Sequence, residues 1–257
     1  PRGLSTVQLR AAWLKELVSS APLALYPGWS LAGEHLSPPE FCQGGWFKEG
    51  SKGELADLDL SEAQPEQVRA PVREWNGRRE HSAAIGAGWP RVPGECGTGA
   101  TGTVYSAIGW IENHSIRDYA KLLRCGYAGL AEEVQAQMDK AEPADPAFPQ
   151  KENFWRAALD VCQAGVRLGE RYRELALERA GAARDEGERA RLLRMAETCG
   201  RVPARGARTF HEAVQALWFA HLLSCGEDGI NANSLGRLDQ ILAPWYEADL
   251  AAGRMTR

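Results

Sequence analysis

The sequence predicts a mainly α-helical chain, and three observations carry that expectation. Apolar residues recur at helical spacing through most of the stretch from His114 to the end. Capping motifs stand ahead of two of these periodic runs, and Gly and Pro follow others. No repeat of fixed period is visible and no strand-rich block stands out.

The first element is a short amphipathic helix from about Thr6 to Ser20, with Val7, Ala11, Leu14, Leu17 and Val18 on one face. Pro22 and Pro27 end it, and LALYPGWSLAGEHL reads as an extended segment with a turn. Residues 37–105 are rich in Gly, Pro and polar side chains, so irregular structure with one or two short elements is expected there. Irregular chain of that length predicts packing against something else.

Helical pattern fills residues 114–257. Ser115-Ile-Arg-Asp118 is a capping box ahead of a stripe formed by Tyr119, Leu122, Leu123, Leu130, Val134 and Met138. Pro143, Pro146 and Pro149 break the chain before a long helix from about Asn153 to Ala183. Its buried face is predicted to be Phe154, Ala157, Val161, Ala164, Leu168, Tyr172 and Leu175. A helix from Asp185 to Cys199 follows, stopped by Gly200 and Pro203. Thr209-Phe-His-Glu212 opens a further helix bearing Ala213, Leu217, Trp218, Ala220 and Leu222, which ends near Gly226. A polar loop then leads to a last helix before Gly253. The organisation predicted is one partial domain over residues 1–257.

Composition removes several function classes. With 257 residues, 44% hydrophobic and 25% charged, the chain has the balance of a globular protein able to bury a core. A net charge of −4, with basic residues interleaved among acids as in RLGERYRELALERA, argues against nucleic acid or an anionic membrane as partner. No apolar run approaches the roughly 20 residues of a membrane span. The first residues carry no signal-peptide pattern and no initiator Met, which predicts a processed chain or a piece of a longer one. Six widely spaced cysteines without a C-x-x-C pair predict reduced thiols in a cytoplasmic protein, with no metal.

Single motifs carry little chemistry. Gly97-Thr-Gly-Ala-Thr-Gly102 fits G-x-G-x-x-G, yet WPRVPGEC before it is no central strand, so a flexible loop is the better reading than a nucleotide cradle. The histidines show no metal spacing: His211 is placed in the first turn of its helix and His221 in the last, while His35 and His81 fall in loops. His114 precedes a helix start, which suits a structural role or a cleft-facing one. Cys225 stands two residues before Glu227 at a helix end, where the dipole disfavours a thiolate. Arg237 and Asp239 are assigned a structural role, fixing loop and helix by ion pairing.

Taken in order, several blocks resemble the glycyl radical enzymes of the pyruvate formate-lyase type, in the branch of glycerol and diol dehydratases and choline lyase. They are His114-Ser-Ile-Arg-Asp-Tyr119, Leu123-Arg-Cys-Gly-Tyr-Ala-Gly129, Arg171-Tyr172, Cys199-Gly-Arg-Val-Pro-Ala204 and Ala207-Arg-Thr-Phe-His-Glu-Ala213. Gln215-Ala-Leu-Trp-Phe219, Ser234-Leu-Gly-Arg-Leu-Asp-Gln240 and Pro244-Trp-Tyr-Glu-Ala-Asp249 continue the series, and Trp29-Ser-Leu-Ala-Gly-Glu34 resembles the family's early extended segment. The resemblance implies the N-terminal part of a ten-stranded α/β barrel, with few strands in this chain.

It also implies radical C–O, C–N or C–C bond cleavage in a small polar substrate. The family uses a glycyl radical near its C-terminus and a thiyl radical on a cysteine in Gly-Cys-x-Glu, and this chain contains neither motif. Ser224-Cys-Gly-Glu227 precedes the Gly-Arg-x-Asp-Gln block, whereas the family's cysteine follows it, so Cys225 is rejected as the thiyl residue. No residue of this chain is assigned as catalytic and no cofactor is expected bound to it. Activation by a radical S-adenosylmethionine enzyme and anaerobic metabolism are implied for the full protein. His114 stands where dehydratases carry a histidine near substrate hydroxyls. Asn231 and Ala232 occupy the positions of a His-Ser pair in the glycerol dehydratases, so the three are the substrate-binding candidates. The chain is expected to be inactive alone and to self-associate through exposed apolar surface. The alternative reading is a non-catalytic truncated homologue serving as a binding or scaffold module.

Overall fold

The computed structural model describes residues 3–33, 116–228 and 233–256. The chain divides into two units, one of Pro1–Ser37, His114–Glu227 and Asn233–Arg257, the other of Pro38–Asn113 and Asp228–Ala232. Asp228 aside, every described residue belongs to the first. Among the described residues there are six helices and no strand: α1 Thr6–Ser20, α2 Tyr119–Asp139, α3 Phe148–Ala182, α4 Glu186–Arg201, α5 Phe210–Asp228 and α6 Leu238–Ala251. The predicted helical class is therefore observed, and the irregular stretch 37–105 lies outside the described residues.

α3 is the spine of the unit. Its 35 residues extend roughly 52 Å at 1.5 Å per residue. Pro149 opens it in the first turn, where the missing amide costs nothing, so the helix starts five residues earlier than the proline cluster suggested. Ala157, Ala164, Leu168, Tyr172 and Ala176 form its buried stripe, and α1, α2 and α4 pack against it. Arg171 fixes α1 by donating to the carbonyls of Val18 and, at 2.9 Å, Ala21. Lys15 reaches back from α1 to Asp160 at 2.7 Å. Phe154 corrects the prediction: it shares the stripe, about five turns ahead of Tyr172, but is 61% exposed because the partner helices do not cover that end of α3.

α2 differs from its predicted start. Asp118, not Ser115, caps it, its carboxylate accepting from the Lys121 amide at 2.9 Å. At Gly126 the backbone leaves the helix with φ 69° and ψ 175°. The freed amides of Tyr127 and Ala128 donate to the carbonyls of Pro203 and Ala204, each at 2.9 Å, and the Ala207 amide donates to Leu123 at 2.9 Å. The kink thus locks α2 onto the loop after α4, where the Val202–Pro203 peptide is cis. Beyond it, no residue from Ala128 to Arg156 is buried.

α4 is capped by Asp185, which accepts from Glu188 at 2.7 Å, and runs on to Arg201 rather than stopping at Cys199. α5 is buried nearly all round, with Ala213, Ala216, Phe219, Leu222 and Leu223 each at most 3% exposed, which makes it the central helix. Thr209 Oγ1 accepts from the Glu212 amide at 3.1 Å as predicted, but the Glu212 carboxylate bonds the Arg208 amide at 2.6 Å instead of closing the box on Thr209. α5 also continues to Asp228, past Gly226, so His221 lies inside the helix and not in its last turn.

The start of α5 is completed from α6. Asp249, 5% exposed, accepts from the Phe210 amide at 2.9 Å and pairs with Arg254 at 2.6 Å. Burial pushes this carboxyl up, but the Phe210 amide and the Arg254 guanidinium pull it down further, and it ends below the ordinary range. A depressed folded-state pKa adds stability that is complete above the unfolded value near ~3.9 and is lost as pH falls through the folded value. Asp249→Ala is expected to cost about 1.5–3 kcal/mol in denaturant unfolding at pH 7. The gap from the native protein should narrow as pH falls from about 4 through the folded value; an equal gap at pH 7 and in acid would refute the assignment.

Candidate functional site

His114, Asn231 and Ala232, the predicted substrate contacts, lie outside the described residues. The polypeptide that flanks them within the first unit is defined. Tyr119, the first residue of α2, follows the segment holding His114, and its hydroxyl lies 3.4 Å from Nδ1 of His221 on α5. Nε2 of the same imidazole is 3.5 Å from Sγ of Cys225. Burial pushes the Tyr119 phenol above its usual value, against the pull of a hydrogen bond with Ser224. The phenol is therefore neutral at physiological pH, and α5 holds it through two side chains one turn apart. Tyr119 and Cys225 are 2% and 3% exposed, and His221 between them is half-buried.

α5 also holds the extended segment after α1. Gln215 is fully buried, and its amide both accepts from the Ala32 amide at 2.8 Å and donates to the Ala32 carbonyl at 2.7 Å. Trp218 Nε1 donates to the Gly33 carbonyl at 3.2 Å, and a Cβ on Gly33 would fall within 2.9 Å of the Trp218 ring. Tyr172 of α3 stacks on Phe219 with centroids 5.4 Å apart. The segment that enters residue 34 and the helix that enters residue 229 are thus fixed to each other.

The remaining chemistry is inert. Burial pushes Cys162 to about 11 and Cys199 to about 12, and raises Cys125, so none of these three is a thiolate at neutral pH. No group of three or more His, Cys, Asp or Glu among the described residues can hold a metal ion. Arg237 and Asp239 form an exposed bidentate pair at 2.9 and 2.6 Å at the start of α6. The guanidinium holds Asp239 below the usual carboxylate range. A shallow groove of about 180 Å³ between α2 and α3 is lined by Tyr127, Ala128, Ala131, Cys162 and Val166 together with the polar Gln163, Arg167 and Glu170. Among the described residues no helix is long and apolar enough to cross a membrane.

Sequence reasoning missed the Tyr119–His221–Cys225 cluster and the Gln215 clamp. The available signal was a polar residue at a core position: Gln215 lies between Ala213 and Leu217 in a run otherwise apolar.

Comparison with known proteins adds the following. The family model described as pyruvate formate lyase-like matches residues 3–257. Isethionate sulfite-lyase of Nitratidesulfovibrio vulgaris is 34% identical over 209 residues, covering 75% of this chain and 25% of that protein. (2S)-3-sulfopropanediol dehydratase of Klebsiella oxytoca is 33% identical over 144 residues, 56% of this chain and 17% of that one. Hydroxyproline dehydratase from Clostridioides difficile, solved with trans-4-hydroxy-L-proline bound, superposes with a TM-score of 0.82 at 24% identity, over 99% of this chain and 34% of that structure. The chain spans a quarter or less of the length of these curated relatives.

Proposed function

Since this chain belongs to the pyruvate formate lyase-like family of glycyl radical enzymes, we propose that it forms the N-terminal scaffold of a radical lyase or dehydratase acting on a small polar, hydroxylated substrate. The observation that carries this reading is the family match along residues 3–257, joined to relatives that are themselves lyases and dehydratases. The neighbours' names point to short hydroxylated molecules, two of them sulfonates, as the substrate class to test first.

In this reading the chain's own part is positional. α5 anchors Tyr119 through His221 and anchors Ala32 through Gln215. His114 and Asn231 then supply polar contacts to the substrate, and Ala232 leaves room where glycerol dehydratases carry a Ser. The cysteine and glycine that carry the radical come from polypeptide other than residues 1–257. A radical S-adenosylmethionine enzyme installs the radical in the complete protein.

The test uses the complete reading frame, co-expressed with such an activase under anaerobic conditions. The expected result is a glycyl radical signal by electron paramagnetic resonance and consumption of isethionate, sulfopropanediol or a related alcohol. His114→Ala should lower kcat/KM at least tenfold, as for one lost substrate hydrogen bond of roughly 1.4 kcal/mol. A radical signal with unchanged kcat/KM would remove His114 from the site. The other reading is a non-catalytic binding module. It predicts no radical signal under any activation and retention of ligand binding by calorimetry.

A further inference from the structure

We propose that the joint between the kinked α2 and the loop after α4 is a docking surface for a short acidic segment of a different polypeptide, with Arg124 and Arg205 as its anchors. Two stretches of the sequence there hold bases and no acids. Residues 119–131 carry Lys121 and Arg124 without an Asp or Glu, and residues 198–211 carry Arg201, Arg205 and Arg208 without one. Along α3, by contrast, bases alternate with acids, as in RLGERYRELALERA. The fold lays the two acid-free stretches on each other. The amides of Tyr127 and Ala128 donate to the carbonyls of Pro203 and Ala204, and the Ala207 amide donates to that of Leu123, each at 2.9 Å. The approach is at backbone contact: a Cβ on Gly206 would lie 2.0 Å from the Arg124 carbonyl oxygen, and one on Gly126 would lie 2.5 Å from the Arg205 Cα.

The carboxylates that reach this joint from outside the two stretches are already engaged. Glu133 pairs with Lys121, and Asp118 caps α2 by accepting from the Lys121 amide. Glu212, 9% exposed, accepts from the Arg208 amide at 2.6 Å and stands 3.5 Å from the guanidinium groups of both Arg201 and Arg208. Asp249 is held by the Phe210 amide and by Arg254. Arg124 and Arg205 are both exposed, and neither pairs with a carboxylate among the described residues. Arg201 Nε is buried without a hydrogen-bond acceptor. The joint therefore offers more cationic donors than the described residues supply acceptors for.

Guanidinium forks fit carboxylates, which they bind through two parallel hydrogen bonds. Here the backbones that carry the two forks are locked to each other, so a partner meets a preset spacing and less ordering has to be done on binding. The charge balance selects the kind of partner. The chain as a whole carries −4, so a long polyanion such as nucleic acid would run from this patch onto repelling surface. A short acidic segment needs to meet only the patch. Charge complementarity at that scale is the mode by which arginine clusters recognise acidic motifs. None of this depends on radical chemistry.

The test is fluorescence anisotropy of a labelled oligoglutamate peptide titrated with the purified chain. Saturable binding is expected at about 0.05 M salt and should weaken toward about 0.5 M, where exposed charges are screened. Arg124→Gln/Arg205→Gln should weaken it roughly tenfold or more, with unchanged circular dichroism, since two charge-assisted contacts are removed. Arg179→Gln/Arg189→Gln, which removes two exposed arginines from α3 and α4, should leave it unchanged. No saturable binding at low salt, or equal losses in the two double variants, would overturn the proposal. So would an oligothymidylate that binds through Arg124 and Arg205 as tightly as the peptide, because the patch would then be a general polyanion site.

Discussion

Gly126→Ala should unfold the helical unit well below the melting temperature of the native protein. The residue sits at φ 69° and ψ 175°, a region open essentially only to glycine, and an L side chain there costs about 1–3 kcal/mol. The new Cβ would also lie 2.5 Å from the Arg205 backbone, which cannot rotate away as a side chain can. Overpacking adds about 1–3 kcal/mol. Together these remove roughly 2–6 kcal/mol from a domain whose total stability is of order 5–15 kcal/mol. The same substitution at Gly181, near the end of α3 with open space around it, should stabilise slightly, by about 0.4–1 kcal/mol. Thermal unfolding of the two variants side by side checks the claim. Equal and small shifts would mean that the kink is not the locked joint described above.

Gln215→Leu should have an effect of similar size by another route. Leucine fills comparable volume and suits a fully buried site, so loss of packing is minor. What changes is that the Ala32 amide and carbonyl both lose their partner while remaining buried. An unsatisfied buried group costs about 1–3 kcal/mol, so the pair predicts roughly 2–6 kcal/mol. The damage should be local before it is global, because the clamp holds an extended segment and not a helix. Limited proteolysis is expected to cut between residues 21 and 33 in the variant under conditions that leave the native chain intact. A variant that resists cleavage and melts like the native protein would show that Trp218, Arg191 and Arg171 suffice to hold the segment.

Much of the helical frame was legible because helix formation is read from neighbours in sequence. The apolar stripes of α1 and α3 and the Thr209 cap follow from spacing and from one polar side chain at a boundary. The misreadings share a cause, which is competition from distant residues. Asp249, 39 residues on in sequence, took the Phe210 amide. Phe154 has the right phase for burial, but phase says nothing about how far a partner helix extends. The kink was invisible for the same reason. Gly126 in Arg-Cys-Gly-Tyr breaks α2 only because the loop at Pro203 and Ala204 offers carbonyls to the two amides released. For the site, His114, Asn231 and Ala232 were found by resemblance and stand outside the described residues. The Tyr119–His221–Cys225 cluster needed three-dimensional proximity across more than a hundred residues of sequence.

The first unit is assembled from three separate stretches of chain, with residues 38–113 leaving and rejoining between Ser37 and His114. Arg171 and Gln215 tie the first stretch to the second at Ala21 and Ala32, within the helical unit itself. The entropy of closing such an excursion grows only with the logarithm of its length, and doubling it costs about 0.6 kcal/mol. A change in the length of residues 38–113 is therefore expected to leave the bonds within the helical unit in place. Sequence drift along this lineage should concentrate in that excursion, and family likeness should survive in the polar clamps that bracket it.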